Sequence, residues 1–124
     1  MQNLYTGIDL VEVQRFSDLS PSIRGRFFER VFTPDERRAI GDHLERAAGF
    51  FAAKEALAKA LGCGIGLIRW QDIEVAKDKL GKPLLKLSGE ALAISRKNGI
   101  SEWSLSISHS RQYAIAMVIG LTTA

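Results

Sequence analysis

The alternation of apolar and polar positions is clearest toward the C-terminal end, where Trp103, Leu105 and Ile107 alternate with Ser104, Ser106 and Ser108. A two-residue period belongs to a strand with one face on a core. The apolar run Tyr113 to Ile119 lacks that alternation and predicts a buried neighbouring strand, reached through a hairpin turning near Ser110 to Gln112. Near the start, Ile8, Leu10, Val11 and Val13 follow Gly7, which predicts a short, largely buried strand within Tyr5 to Val13 that runs into a helical stretch. Trp70 to Val75 and Pro83 to Leu87 read as two further strands joined through Asp78, Lys79, Leu80 and Gly81.

Helix signals fall between these strands. Ser20 before Pro21 marks one start, and Thr33, Pro34, Asp35 and Glu36 supply an N-cap, a first-turn proline and a capping-box glutamate. Leu44 to Leu61 is alanine-rich and ends at Gly62, a natural helix terminator, so it is the predicted central helix. Ser88 is placed to cap a helix running to about Asn98 and Gly99. The fold class that follows is α+β, with one long central helix packed on a mainly antiparallel sheet. There is no internal repeat, low-complexity tract or long linker.

At 124 residues and 46% hydrophobic, the chain predicts one domain spanning 1–124. No window approaches the roughly 20 apolar residues of a membrane span, and no secretory signal is recognisable, so a cytoplasmic protein without membrane attachment is expected. The lone Cys63 reads as a free thiol, because the two histidines, His43 and His109, offer no zinc set with it. The net charge of +3 is unevenly spread, with Arg15, Arg24, Arg26, Arg30, Arg37 and Arg38 in the first third. Such a cluster suits an acidic partner or is simply a solvated face. The same arginines would also suit nucleic acid, which stands as an alternative reading and is not the partner expected.

Two features bear on chemistry. Asp9 lies inside an apolar run, where a carboxylate must be paired, hydrogen-bonded or bound to metal. On the central helix, Phe51, Glu55, Lys59 and Gly62 share one side. A carboxylate, an amine and a helix end on one face suit a pyrophosphate with magnesium, although Glu four residues before Lys is also a common surface ion pair. Gly62-Cys63-Gly64-Ile65-Gly66 is not a Walker loop, because it follows a helix and lacks the Lys-Ser/Thr continuation. His109 shares the parity of Leu105 and Ile107 at the end of its strand, where it is either satisfied at the core edge or within reach of a ligand.

Taken together, Gly7-Ile-Asp9-Leu-Val-Glu12, Arg26-Phe-Phe-Glu-Arg30-Val-Phe-Thr33 with Glu36, Phe51-Ala-Ala-Lys54-Glu55 with Lys59 and Gly62, Asp72-Ile-Glu74, Gly81-Lys-Pro83 and Ser106-Ile-Ser108-His109-Ser110 resemble the bacterial holo-acyl-carrier-protein synthases. These are small 4′-phosphopantetheinyl transferases, and the resemblance covers nearly the whole chain. It implies their fold and transfer of the phosphopantetheine arm of coenzyme A to a serine of an acyl carrier protein. It further implies Asp9 and Glu55 as Mg²⁺ ligands, with Lys59 and Gly62 at the pyrophosphate, Ser108 and His109 near the 3′-phosphate, and Pro83 beside the adenine. Arg15, Arg26 and Arg30 would receive the acidic carrier protein, and the assembly would be a homotrimer with active sites between subunits. Glu36 is a candidate to hold a water near the serine, besides its capping role.

One position departs from the family pattern. Phe50 stands where these enzymes often carry arginine, which removes a cation near the nucleotide phosphate, and Lys54 or a neighbouring subunit's basic side chain are the candidates to replace it. That departure keeps open a non-catalytic coenzyme A-binding module.

Overall fold

The computed structural model describes residues 2–123. In chain order the elements are β1 (Leu4–Glu12), α1 (Gln14–Ser17), α2 (Pro21–Val31), α3 (Pro34–Ile40), α4 (Leu44–Leu61), β2 (Ile73–Lys77), β3 (Pro83–Leu87), α5 (Gly89–Lys97), β4 (Ile100–His109) and β5 (Tyr113–Thr122). An antiparallel sheet in the order β1-β5-β4 carries α4 across one face, and β2 and β3 form a separate antiparallel pair. The α+β arrangement read from the sequence is the one observed.

The helix α4 has the composition this position requires. Ala47, Ala48, Ala52, Ala53, Ala56, Ala58 and Ala60 are all buried, so the helix meets neighbours on several sides with short side chains and high intrinsic propensity. β1 comes closest at Gly7. A Cβ added there would lie 1.8 Å from the Ala56 carbonyl oxygen, so only glycine lets the two backbones meet. At its end α4 stops at Gly62 with φ of 75°, and the Cys63 N–H closes on the Ala58 carbonyl at 3.2 Å. Away from the sheet, Phe16, Phe27, Phe28 and Phe51 pack edge-on or tilted, and Trp70 stacks on Phe51 with centroids 5.0 Å apart.

The caps form as expected. The Thr33 side chain accepts from the Glu36 N–H, and the Thr33 N–H donates to Glu36 Oε1 at 2.9 Å. Ser20 caps α2 through the Ile23 N–H, whereas Ser88 occupies the N-cap of α5 without a side-chain cap bond. The hairpin turns at residues 110–112, where the Ser110 N–H donates to the Tyr113 carbonyl at 2.8 Å.

Three expectations are corrected. Trp70–Asp72 is a 3₁₀ turn, with the strand starting only at Ile73, because the Asp72 carboxylate accepts the Arg69 N–H at 3.2 Å and closes the turn. β1 is nine residues long and is not buried on both faces: Gly7 and Val11 face α4, while Leu4, Ile8 and Leu10 are exposed. β5 likewise buries Ala114, Ala116 and Val118 but exposes Tyr113, Ile115 and Met117. Both runs are apolar on an outer face that this chain leaves uncovered.

The Gly7 contact has a measurable consequence. Gly7→Ala is expected to lower unfolding stability by about 3 kcal/mol or more, since the obstructing atom is backbone and the clash cannot be relieved by a rotamer change. Guanidinium denaturation checks this, and an unchanged midpoint would contradict the close approach.

Candidate functional site

Asp9 extends from the inner face of β1, two residues beyond the point where Gly7 presses on Ala56, and Glu55 is the residue before Ala56 on α4. The close packing therefore brings the two acids to one locality from a separation of 46 positions in the chain. Burial pushes the Glu55 carboxyl above the ordinary 4.5, the Asp9 charge raises it further, and Lys59 and Arg15 partly counter both. Three charged groups, from β1, α4 and α1, thus act on one carboxyl.

Lys59 does not pair with Glu55, its neighbour one turn earlier. Its ammonium donates to Asp9 Oδ1 and to the Ile8 carbonyl, each at 3.0 Å. The requirement that Asp9 be compensated is met in this way. Among the described residues no hydrogen bond or ion pair holds the Glu55 carboxylate. Along the Phe51, Glu55, Lys59, Gly62 side of α4, exposure rises from a buried ring to an open helix end, so the charged groups sit at the mouth of a core-facing stripe.

The remaining candidates lie apart. Pro83 opens β3 opposite Lys77, on the separate two-stranded pair. His109 and Ser108 end β4, with His109 opposite Ala114, which is itself opposite Val11. His109 is thus two strands from β1, about 10 Å across the sheet. Its side chain is exposed and among the described residues makes no hydrogen bond, so it is not a histidine satisfied at the core edge. Ser108 has the opposite parity and faces the outer side with Ser104 and Ser106. One chain therefore gathers Asp9, Glu55, Lys59 and Arg15, but not Pro83, Ser108 and His109.

Arg15 on α1 lies with its guanidinium 5.8 Å from the centre of the Phe51 ring, while Arg26 and Arg30 are exposed on α2. None of the three has an acidic partner within ion-pair distance among the described residues. Proximity of Arg15 to Glu55 was not legible in the sequence, where Arg15 belonged only to a basic surface. Trp70 was missed too. Its place over Phe51 depends on the 3₁₀ turn.

Glu36 and Lys54 require correction. Both side chains are fully buried and paired, Lys54 Nζ to Glu36 Oε1 at 2.8 Å, so Glu36 cannot hold a water at the site and Lys54 cannot replace the cation absent at Phe50. Burial lowers the Lys54 pKa, and the Glu36 carboxylate acts against that shift. Phe50 itself is buried. Cys63 is a free, half-buried thiol. No helix among the described residues is long and apolar enough to cross a membrane.

Known proteins share this sequence pattern and this fold. The model of the 4′-phosphopantetheinyl transferase superfamily matches residues 5–118. The chain is 47% identical over 116 residues to the holo-[acyl-carrier-protein] synthase of Alkaliphilus metalliredigens, covering 91% of this chain and 94% of that protein. It is 45% identical to the enzyme of the same name from Halothermothrix orenii, with 92% and 94% covered. Among solved structures, the Helicobacter pylori holo-[acyl-carrier-protein] synthase in complex with coenzyme A superposes with a TM-score of 0.83 at 37% identity, over 93% of this chain and 98% of that one. The Neisseria meningitidis enzyme gives 0.82 at 36% identity, over 94% and 96%. The resemblance carried by the motifs is therefore borne out over the whole fold, and the chain belongs to the 4′-phosphopantetheinyl transferase superfamily.

Proposed function

We propose that this protein transfers the 4′-phosphopantetheine group of coenzyme A to a serine of an apo acyl carrier protein, releasing 3′,5′-ADP. The observation that carries the reading is the pairing of Asp9 with Lys59 beside a raised-pKa Glu55, at the open end of α4. It is supported by relatives named holo-[acyl-carrier-protein] synthase and by a structural neighbour in complex with coenzyme A.

The two carboxylates suit Mg²⁺. Among the described residues no set of three His, Cys, Asp or Glu side chains forms a cage. Mg²⁺ needs none, because it commonly takes one or two carboxylates and completes its shell with water and substrate phosphates. When bound, it neutralises charge building on the pyrophosphate as the serine attacks the β-phosphorus. Lys59 holds Asp9 toward the site and presents a cation to the diphosphate, and Gly62 lets the backbone approach it. Arg15, Arg26 and Arg30 orient the acidic carrier protein. Pro83, Ser108 and His109 serve the nucleotide end from a neighbouring subunit, in keeping with their separation from Asp9 within one chain.

That arrangement calls for an assembly, and we take it to be a homotrimer. Ile8 stands opposite Met117 and Leu10 opposite Ile115 on the outer sheet face, with Leu4 and Tyr113 extending the same surface. An apolar patch of this kind marks an interaction surface. Ile8→Lys with Met117→Lys is expected to yield monomers by sedimentation and to lose transfer activity. A fully active monomer would refute the shared site.

Activity itself is tested by incubating the protein with coenzyme A, Mg²⁺ and an apo carrier protein. A mass gain of one phosphopantetheine is the expected result, and coenzyme A binding without any gain would favour a non-catalytic module. Asp9→Asn and Glu55→Gln are each expected to lower kcat by roughly a hundredfold or more while leaving the fold intact. Because the folded-state pKa of Glu55 is raised, the folded protein holds that proton more tightly than the unfolded chain, and stability falls as pH rises from 4.5 through the raised value. Thermal melts without metal should therefore lose part of that pH slope in Glu55→Gln, and Mg²⁺ should raise the wild-type Tm more than that of the variant.

Docking is separable from chemistry. Arg26→Glu and Arg30→Glu are expected to raise KM for the carrier protein by roughly tenfold each with kcat little changed. A KM equal to the wild-type value in both would remove the arginines from the docking surface.

A further inference from the structure

Glu36 and Lys54 are the most deeply buried charged groups near the site, and no step of the reaction uses them. A buried ion pair is a poor source of stability, because desolvating both charges offsets most of their attraction. What this pair does offer is geometry. Lys54 Nζ has three partners, one for each of its protons: Glu36 Oε1, the Trp70 carbonyl at 3.1 Å and the Ile73 carbonyl. Glu36 is held as firmly, its Oε1 also accepting the Thr33 N–H and its Oε2 accepting the Val75 N–H at 2.8 Å. Thr33 in turn donates through Oγ1 to Glu74 Oε2 at 2.6 Å, and no buried side-chain polar atom among the described residues lacks a partner.

We infer that the Glu36–Lys54 pair is a positioning unit that sets the rotation of α4 about its own axis and so aims Glu55 at Asp9. Successive residues of a helix point about 100° apart, so fixing the direction of Lys54 fixes that of Glu55. The Gly7–Ala56 contact sets the distance between β1 and α4, but the alanine contacts around the helix are short and non-directional and leave it some freedom to roll. Lys54 removes that freedom by bonding to α3 and to the 70–75 segment on the opposite side. An apolar side chain of similar size would fill the same space without specifying an angle, because dispersion contacts are non-directional whereas three satisfied ammonium protons are not. The same bonds hold the Trp70 backbone, and with it the ring that stacks on Phe51 beside Arg15. Lys54 and Glu36 are thus positioning residues for the metal-binding acid, and the inference rests on the reading of Asp9 and Glu55 as metal ligands.

The test removes the pair without stranding a charge. The double variant E36Q/K54M is expected to fold, by circular dichroism and a cooperative melt, yet to bind Mn²⁺, titrated alone and followed by its electron paramagnetic resonance, about tenfold more weakly. Its kcat per folded molecule should fall by about ten- to a hundredfold, with KM for the carrier protein unchanged. A network that serves stability alone would reduce Tm and the folded fraction while leaving the Mn²⁺ Kd and kcat of the folded molecules at wild-type values, and that outcome overturns the inference. Should the double variant not fold, Glu36→Asp retains the charge and draws the carboxylate back by one methylene, and the same split is expected at smaller amplitude. Asp9→Asn in the same titration separates the two levels. Wild-type Mn²⁺ binding in Asp9→Asn defeats the metal assignment itself, whereas binding lost there but intact in E36Q/K54M defeats only the positioning role.

Discussion

The contact of the Gly7 backbone with the Ala56 carbonyl is the constraint from which the site follows. Sheet and helix usually meet through side chains, which keep their backbones well apart. Here one strand touches the helix directly, and the acids just beyond the contact on either element come within electrostatic reach of each other. The alanines of α4 are the other half of this arrangement, since larger side chains flanking Ala56 would lift β1 away.

Concentrating acids in this way works against folding. Glu55 is partly desolvated next to Asp9, and no hydrogen bond among the described residues relieves it. Lys59 spans the gap by bonding to Asp9 and to the strand backbone, and Arg15 adds a second cation from α1. Such compensation is partial, and under the proposed metal assignment it leaves the two carboxylates the residual negative charge that a cation would need.

Much of this was legible in the sequence, for identifiable reasons. The capping box at Thr33, the alanine-rich helix with its terminal glycine and the serine alternation on β4 are local signals, and each formed where expected. The compensation of Asp9 could be foreseen from its apolar surroundings, but not its partner, because Lys59 lies 50 positions away. Glu36 was hidden by its own motif. A capping box accounts for a glutamate completely, so nothing pointed to Lys54 or to the Val75 N–H 39 positions on. The runs at Ile8 and Ile115 were misjudged because a strand covered on both faces and a strand awaiting a partner have the same composition. Only three-dimensional coverage by this chain separates them. Asp72 illustrates a further limit: its carboxylate closes a turn that interrupts what reads as continuous strand.

The small side chains of α4 also bear on how this protein can change over generations. A helix lined by Ala47, Ala48, Gly49, Ala52 and Ala53 on its buried sides has a ceiling on size rather than on polarity; even a methyl group at Gly49 would press to 2.9 Å from Ile107. Substitutions that enlarge this surface meet packed neighbours, whereas in the loop after the helix Gly64 has open space around it and Gly62 and Gly66 are held to glycine by their positive φ. Added side-chain volume therefore finds room at Gly64, just past the helix, and none on the buried sides of the helix itself.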